Sequence, residues 1–135
     1  MKPFAYVNPT NEKEAVAALK ADRDGLTTPL AGGMDLLARM KDYITQPDRV
    51  VNVKGFADTT ITAAPGGGLK IGAGVKIADL AENAQVKRLY PAVVDAAGEV
   101  GTPQIRNAGT VGGNINQRPR CWYYRQEEFV CYKKG

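Results

Sequence analysis

With 135 residues, 44% of them hydrophobic and 24% charged, the chain has the makeup of an ordinary folded domain and room for one modest domain or two small subdomains. Its net charge of +4 gathers toward the last third and fits an anionic cofactor or an acidic partner face better than nucleic acid, while no apolar run reaches the ~18–20 residues that span a bilayer. Histidine is absent, which excludes histidine acid–base chemistry and histidine metal ligation within the chain, and the first residues lack the apolar segment of an export signal, so a cytoplasmic protein, or a periplasmic one exported with a partner, is expected.

Residues 8–22 read as a helix, with Asn8 as N-cap, Pro9 at the first helical position, Glu12 and Glu14 in the first turns, and Ala15, Val16 and Leu19 as its apolar stripe. Asp24-Gly25 should end that unit. TTPLAGG then reads as a short strand running into a turn. MDLLARMKDYI places Leu36, Leu37, Met40 and Ile44 at helical spacing, and DRVVNVKG reads as a buried strand. Helix, strand, helix and strand in this order predict a small α/β unit over residues 1–56. A second unit, 57–135, opens with a hairpin in TTITAAPGGGLKIGAGVKI. A helix over IADLAENAQVKRL and another over YPAVVDAAGEVG follow, the latter with Pro91 at its start. GTPQIRNAGTVGGNI (101–115) then reads as a glycine-rich loop, and a cysteine-containing segment, 117–135, closes the chain.

Two glycine-bearing stretches fail as nucleotide motifs. GAGVKI lacks the third glycine of G-x-G-x-x-G, having Ile77 there, and no G-x-x-x-x-G-K-S/T occurs. Gly72 and Gly74 are expected instead in a strand with a close backbone neighbour. LAGGMDLL differs, because its strand runs through Gly32-Gly33 straight into a helix, so backbone N–H groups can point outward toward an anion. Its plain alternative is a strand–helix turn with Asp35 as N-cap. AGTVGGNI offers a second loop with Gly109, Gly112 and Gly113, where successive amides can form an anion-binding concavity. Its plain alternative is a tight turn. One such loop per unit suggests a single ligand with two phosphates lying between them.

LAGGMDLL followed by GTPQIRNAGTVGGNI, together with the opening Pro-Phe-x-Tyr and Pro-Asp-Arg-Val-Val-Asn, resembles the FAD-binding subunit of the molybdenum hydroxylases, the family of xanthine dehydrogenase, aldehyde oxidoreductases and carbon monoxide dehydrogenase. The resemblance implies an α/β (α+β) fold of two small subdomains with FAD between them. It also implies that Ala31, Gly32, Gly33, Met34 and Asp35 contact the pyrophosphate, and that Thr110, Gly112, Gly113 and Asn114 hold the diphosphate and ribityl region from the other side. Gln104, Ile105 and Arg106 would shape the second loop. Met34 stands where relatives carry Thr, Ser or His, so one hydroxyl contact is lost. Relatives are about twice as long or more, which implies that the second subdomain is incomplete here and that this piece alone binds FAD weakly or not at all. NQRPRCWYYR replaces the usual continuation and resembles a narrower branch, the flavin subunits of periplasmic-type aldehyde oxidoreductases with an extra 4Fe–4S cluster.

Cys121 and Cys131, spaced C-x9-C, are open to three readings: unlinked thiols, a disulfide in an oxidising compartment, or two of the four ligands of an iron–sulfur cluster. The resemblance implies the last, with Arg120, Arg125, Lys133 and Lys134 offsetting the thiolate charge and Trp122, Tyr123 and Tyr124 serving as packing. It further implies an electron-transfer subunit partnered by a molybdenum-cofactor subunit and a 2Fe–2S subunit, with no residue acting on substrate here. The alternatives are a docking module with structural glycine loops and a disulfide-stabilised extracellular domain.

Overall fold

A computed structural model of the chain describes residues 1–20 and 26–134; the helix end expected at Asp24-Gly25 lies outside them. The fold is mixed α and β. Three parallel strands, β1 (Ala5–Val7), β2 (Thr27–Leu30) and β3 (Arg49–Asn52), form a sheet in the order β1-β3-β2. The central strand carries the unbroken apolar pair Val50 and Val51, both fully buried, as expected of a parallel strand covered on both faces. β1 is not predicted from its sequence, because three residues with exposed Ala5 and Tyr6 carry no periodic signal; pairing with β3 makes it a strand.

Helix α1 spans Glu12–Lys20. Its cap is Asn11, not Asn8: the Asn11 side chain accepts the Glu14 N–H at 3.0 Å, while the Glu14 carboxylate reaches back to accept the N–H of Thr10, the residue before the cap, at 2.8 Å. Asn8 instead accepts a hydrogen bond from Asn52 at 2.6 Å. Helix α2 (Leu36–Lys41) is shorter than predicted. Tyr43 takes a φ of 56° and turns the chain before Ile44. Leu36, Met40 and Val50 make the buried cluster of this region, with Phe4, Leu30 and Leu37 against it.

The predicted hairpin is present as β4 (Ile61–Ala63) and β5 (Leu69–Ile71), antiparallel, with the turn closed by Ala64 and Gly68. Gly72 and Gly74 do have close backbone neighbours, the carbonyl of Asp58 among them. The helix expected over 77–89 is two, α3 (Ile77–Glu82) and α4 (Ala84–Leu89). Asn83 breaks it with extended dihedrals and caps α4 by accepting the Gln85 and Val86 N–H groups, the usual competition of a short amide side chain with helix continuation. Helix α5 (Pro91–Gly98) begins at the predicted proline. A second cluster, Val75, Ile77, Leu80, Val86, Val94 and Ala97, fills the space beneath these helices. Val86 is fully buried in it, so Val86→Ala should cost about 2 kcal/mol in urea unfolding; an unchanged midpoint would mean that this cluster does not hold the second half together.

Residues 101–115 are not an open loop. Pro103–Ala108 forms helix α6, and Val111–Ile115 forms the one-turn helix α7. Thr102 and Thr110 cap them through their side-chain oxygens, which local capping can achieve even in glycine-rich sequence.

Candidate functional site

β2 ends at Leu30, whose carbonyl is held by the Val53 N–H at 3.0 Å. The chain then turns through Ala31, Gly32 and Gly33, with Gly33 at φ 77°, a conformation that side chains disfavour. Among the described residues the N–H groups of Gly32, Gly33 and Met34 have no backbone acceptor. Such a run of unspent donors is a place for an anion. Met34 is half-exposed beside it.

The second loop differs from its expected form. Its amides are spent inside the fold: Val111 donates to Val75 O at 2.8 Å, Gly112 to Ala73 O at 2.9 Å, Asn114 to Thr110 O at 2.8 Å, and Gly113 to Thr110 Oγ1 at 3.2 Å. The row of free donors read from AGTVGGNI is therefore absent. Thr110 is buried and its hydroxyl accepts, serving as a cap. Arg106 ties the approach to this loop by donating to Val100 O at 3.2 Å and Gly101 O at 3.4 Å, the shaping role expected of it.

The two loops touch. A Cβ on Gly32 would lie 2.1 Å from the Ala108 carbonyl oxygen and 2.9 Å from Gly109 Cα. Backbone approaching backbone, not a ligand, thus accounts for the missing side chain at Gly32. Gly112 is similarly crowded by Ala73 at 3.0 Å, whereas a Cβ on Gly113 would meet only Thr110 Oγ1, at 3.1 Å. Gly113 is exposed, so the second loop is open to solvent at this position.

Asp35 is not a side-chain cap for α2. Its Oδ2 accepts from Arg39 Nε at 3.0 Å and from the Arg118 N–H at 3.2 Å, and its Oδ1 from Arg125 Nη2 at 2.5 Å. Nothing in the local sequence announces partners 83 and 90 positions away. Partial burial pushes the Asp35 carboxyl up, but the Arg125 hydrogen bond, the Arg118 N–H and the charges of Arg125 and Arg39 outweigh it and hold the group below its ordinary value. A lowered folded value means that the stabilisation is full above the ordinary aspartate value of 3.8 and is lost as pH falls through the folded value. Acidification below pH ~4 should therefore lower the melting temperature, and Asp35→Asn should flatten that part of the pH profile; an identical acid limb in the variant would contradict it.

Cys121 is exposed and Cys131 half-buried, and both are free thiols. Among the described residues no group of three or more Cys, Asp or Glu side chains is placed to hold a metal. Arg125 is engaged with Asp35, so its charge is already offset, whereas Lys134 donates to the neutral carbonyls of Gln126, Glu127 and Phe129 and keeps its charge. Of the three aromatics expected to pack, only Tyr124 is buried; Trp122 and Tyr123 are exposed.

Residues 2–122 match the family described as the FAD binding domain in molybdopterin dehydrogenase. The chain is 37% identical over 134 residues to the aldehyde oxidoreductase FAD-binding subunit PaoB of Escherichia coli K12, covering 99% of this chain and 42% of that protein. It is 31% identical to the nicotinate dehydrogenase FAD-subunit of Eubacterium barkeri, over 86% of this chain and 39% of that one. Among solved structures, the reconstituted CO dehydrogenase from Oligotropha carboxidovorans superposes with a TM-score of 0.78 at 29% identity, over 84% of this chain and 39% of that one. The chain thus spans about two fifths of the length of these relatives.

Proposed function

The chain belongs to the family of FAD-binding domains of molybdopterin dehydrogenases, and from that membership we propose that it forms part of a flavin-carrying electron-transfer subunit in a molybdenum hydroxylase. The reading is carried by the unspent Gly32–Met34 amides of the first loop, which is in direct backbone contact with the second at Ala108 and Gly109. These residues fit a diphosphate: three successive N–H groups have no backbone acceptor, and the carboxylate of Asp35, which would repel an anion, is engaged by two arginines. Ala31, Gly32, Gly33, Met34 and Asp35 would approach the diphosphate through their backbone. Thr110, Gly112, Gly113 and Asn114 would form the opposing wall, with contact from the Gly113 surface and the Asn114 side chain in place of free amides. FAD, when bound, would supply the electron chemistry, taking electrons from iron–sulfur centres and passing them to an acceptor. Residues 1–56 and 57–135 are proposed as its two subdomains, each with its own buried cluster. The proposed partners are a molybdenum-cofactor subunit and a 2Fe–2S subunit.

The test is an FAD titration of the chain and of the complete subunit that carries it, followed by flavin fluorescence. Tight one-to-one binding is expected in the subunit and weak saturable binding in the chain, whose site lacks part of its walls. No binding in the subunit would favour the docking-module reading. Cys121 and Cys131 are proposed as two of four 4Fe–4S ligands, the other two lying outside these residues, because the two free thiols sit in the segment latched to the flavin loop. Cys121→Ser should remove about four irons per subunit, one cluster's worth, while FAD stays bound; unchanged iron would leave the thiols without that role.

A further inference from the structure

We propose that Asp35 and Arg125 form a latch that positions the Cys121-bearing turn against the first glycine loop, so that occupation of that loop by a dinucleotide and ordering of residues 118–125 are coupled. The coupling half rests on the FAD reading; the latch does not.

Arg125 closes the segment on itself and onto the loop. Its Nε donates to Pro119 O at 2.8 Å, and its Nη2 donates to Arg118 O at 3.0 Å as well as to Asp35 Oδ1 at 2.5 Å. The Arg125 N–H donates to Cys121 O at 3.0 Å, which ties the cysteine backbone into the same turn. The guanidinium stands 5.7 Å from the centroid of the Tyr124 ring, whose residue is 4% exposed. The rest of the segment has little to hold it, since Trp122, Val130 and Tyr132 stand almost entirely in solvent. Attachment of the turn therefore depends on Tyr124 and on one carboxylate.

That carboxylate belongs to the residue that follows the free amides of Gly32, Gly33 and Met34. An anion that fixes this backbone also fixes the origin of the Asp35 side chain, and linkage makes the effect reciprocal. Removing Asp35 leaves no neutral gap: Arg39 and Arg125, with side chains 14% and 16% exposed, would face one another uncompensated, which expels the turn. Asp35 is in this sense a positioning residue, acting on Cys121 through Arg125.

Hydrogen exchange by mass spectrometry on the complete subunit tests both halves. Without FAD, Asp35→Ala and Arg125→Ala should each speed exchange over 118–125 by about tenfold or more, since each removes their shared charge-assisted hydrogen bond and two further bonds of its own. The double variant should fall short of the product of the two single effects, because both remove the same Asp35–Arg125 pair, and exchange in α3–α5 should not change. Unchanged exchange over 118–125, or single effects that multiply in the double variant, would overturn the latch. Should Asp35→Ala fail to fold, Arg125→Ala carries the measurement, since it lies outside both buried clusters. Adding FAD should slow exchange over 118–125 in the unsubstituted protein but not in Arg125→Ala, which should still bind FAD. Binding without slowing overturns the coupling alone. Absence of binding overturns the coupling together with the FAD reading, and the variants measured without FAD still decide the latch.

Discussion

Gly32→Ala is expected to disable the fold and the proposed flavin site together. The added methyl would lie 2.1 Å from the Ala108 carbonyl oxygen, 2.9 Å from its carbon and 2.9 Å from Gly109 Cα. All three are backbone atoms, so no rotamer change can make room. Ala108 ends α6, and Gly109 is held to Ile77 by a 3.0 Å hydrogen bond, so the second loop cannot retreat without breaking its pairing along 73–77. The first loop is anchored just as firmly, by Val53 to Leu30 on one side and Leu37 to Gly33 on the other. Overpacking usually costs ~1–3 kcal/mol; a contact this short between two anchored backbones should exceed that range. Denaturant unfolding of Gly32→Ala should show the loss, with flavin content near zero in the complete subunit. A variant of ordinary stability would mean that the two loops are not in contact.

Gly113→Val should produce the opposite pattern, with binding lost and the fold kept. The Gly113 side-chain direction meets only Thr110 Oγ1, at 3.1 Å, so the strain is confined to the one cap bond that this hydroxyl makes to the Gly113 N–H. Gly113 does not take a positive φ, so a β-branched residue meets no forbidden backbone. The valine methyls would cover the exposed Gly113 surface that is proposed as part of the diphosphate wall. FAD affinity in the complete subunit should fall about 100-fold or more, ~2.7 kcal/mol, with a melting temperature within a few degrees of the parent. Unchanged FAD content would remove Gly113 from the site. A loss of stability as large as that of Gly32→Ala would make it a packing glycine of the same kind.

These two glycines show where sequence and tertiary structure divide. Both stand in Gly-Gly pairs beside a helix start, and no local rule separates them. The pattern of Val50 and Val51, the Pro-Gly hairpin and the proline at the head of α5 were legible because period, turn chemistry and fixed φ act within a few residues. The pair of motifs LAGGMDLL and GTPQIRNAGTVGGNI likewise sufficed to indicate the family, since it depends only on residue order. The α7 turn is not expected from local sequence because threonine capping overrides glycine's poor helix propensity there, and α6, free of glycine itself, is a six-residue helix whose Thr102 cap and Pro103 start are set among flanking glycines. β1 was missed because a three-residue strand exists only through its partner.

The sequence by itself therefore determined the α/β character and the family, and drew attention to the two glycine-rich stretches. Only the tertiary structure decided how those loops divide the work: which amides remain free, which glycine is empty to admit backbone and which is empty toward solvent. It also decided that Asp35 holds Arg125 rather than capping its own helix. The physical reason is common to all three. A hydrogen-bond donor is free or spent according to what the rest of the chain brings within about 3 Å of it, and over separations of 76 residues between Gly32 and Ala108 or 90 between Asp35 and Arg125 no local preference carries that information.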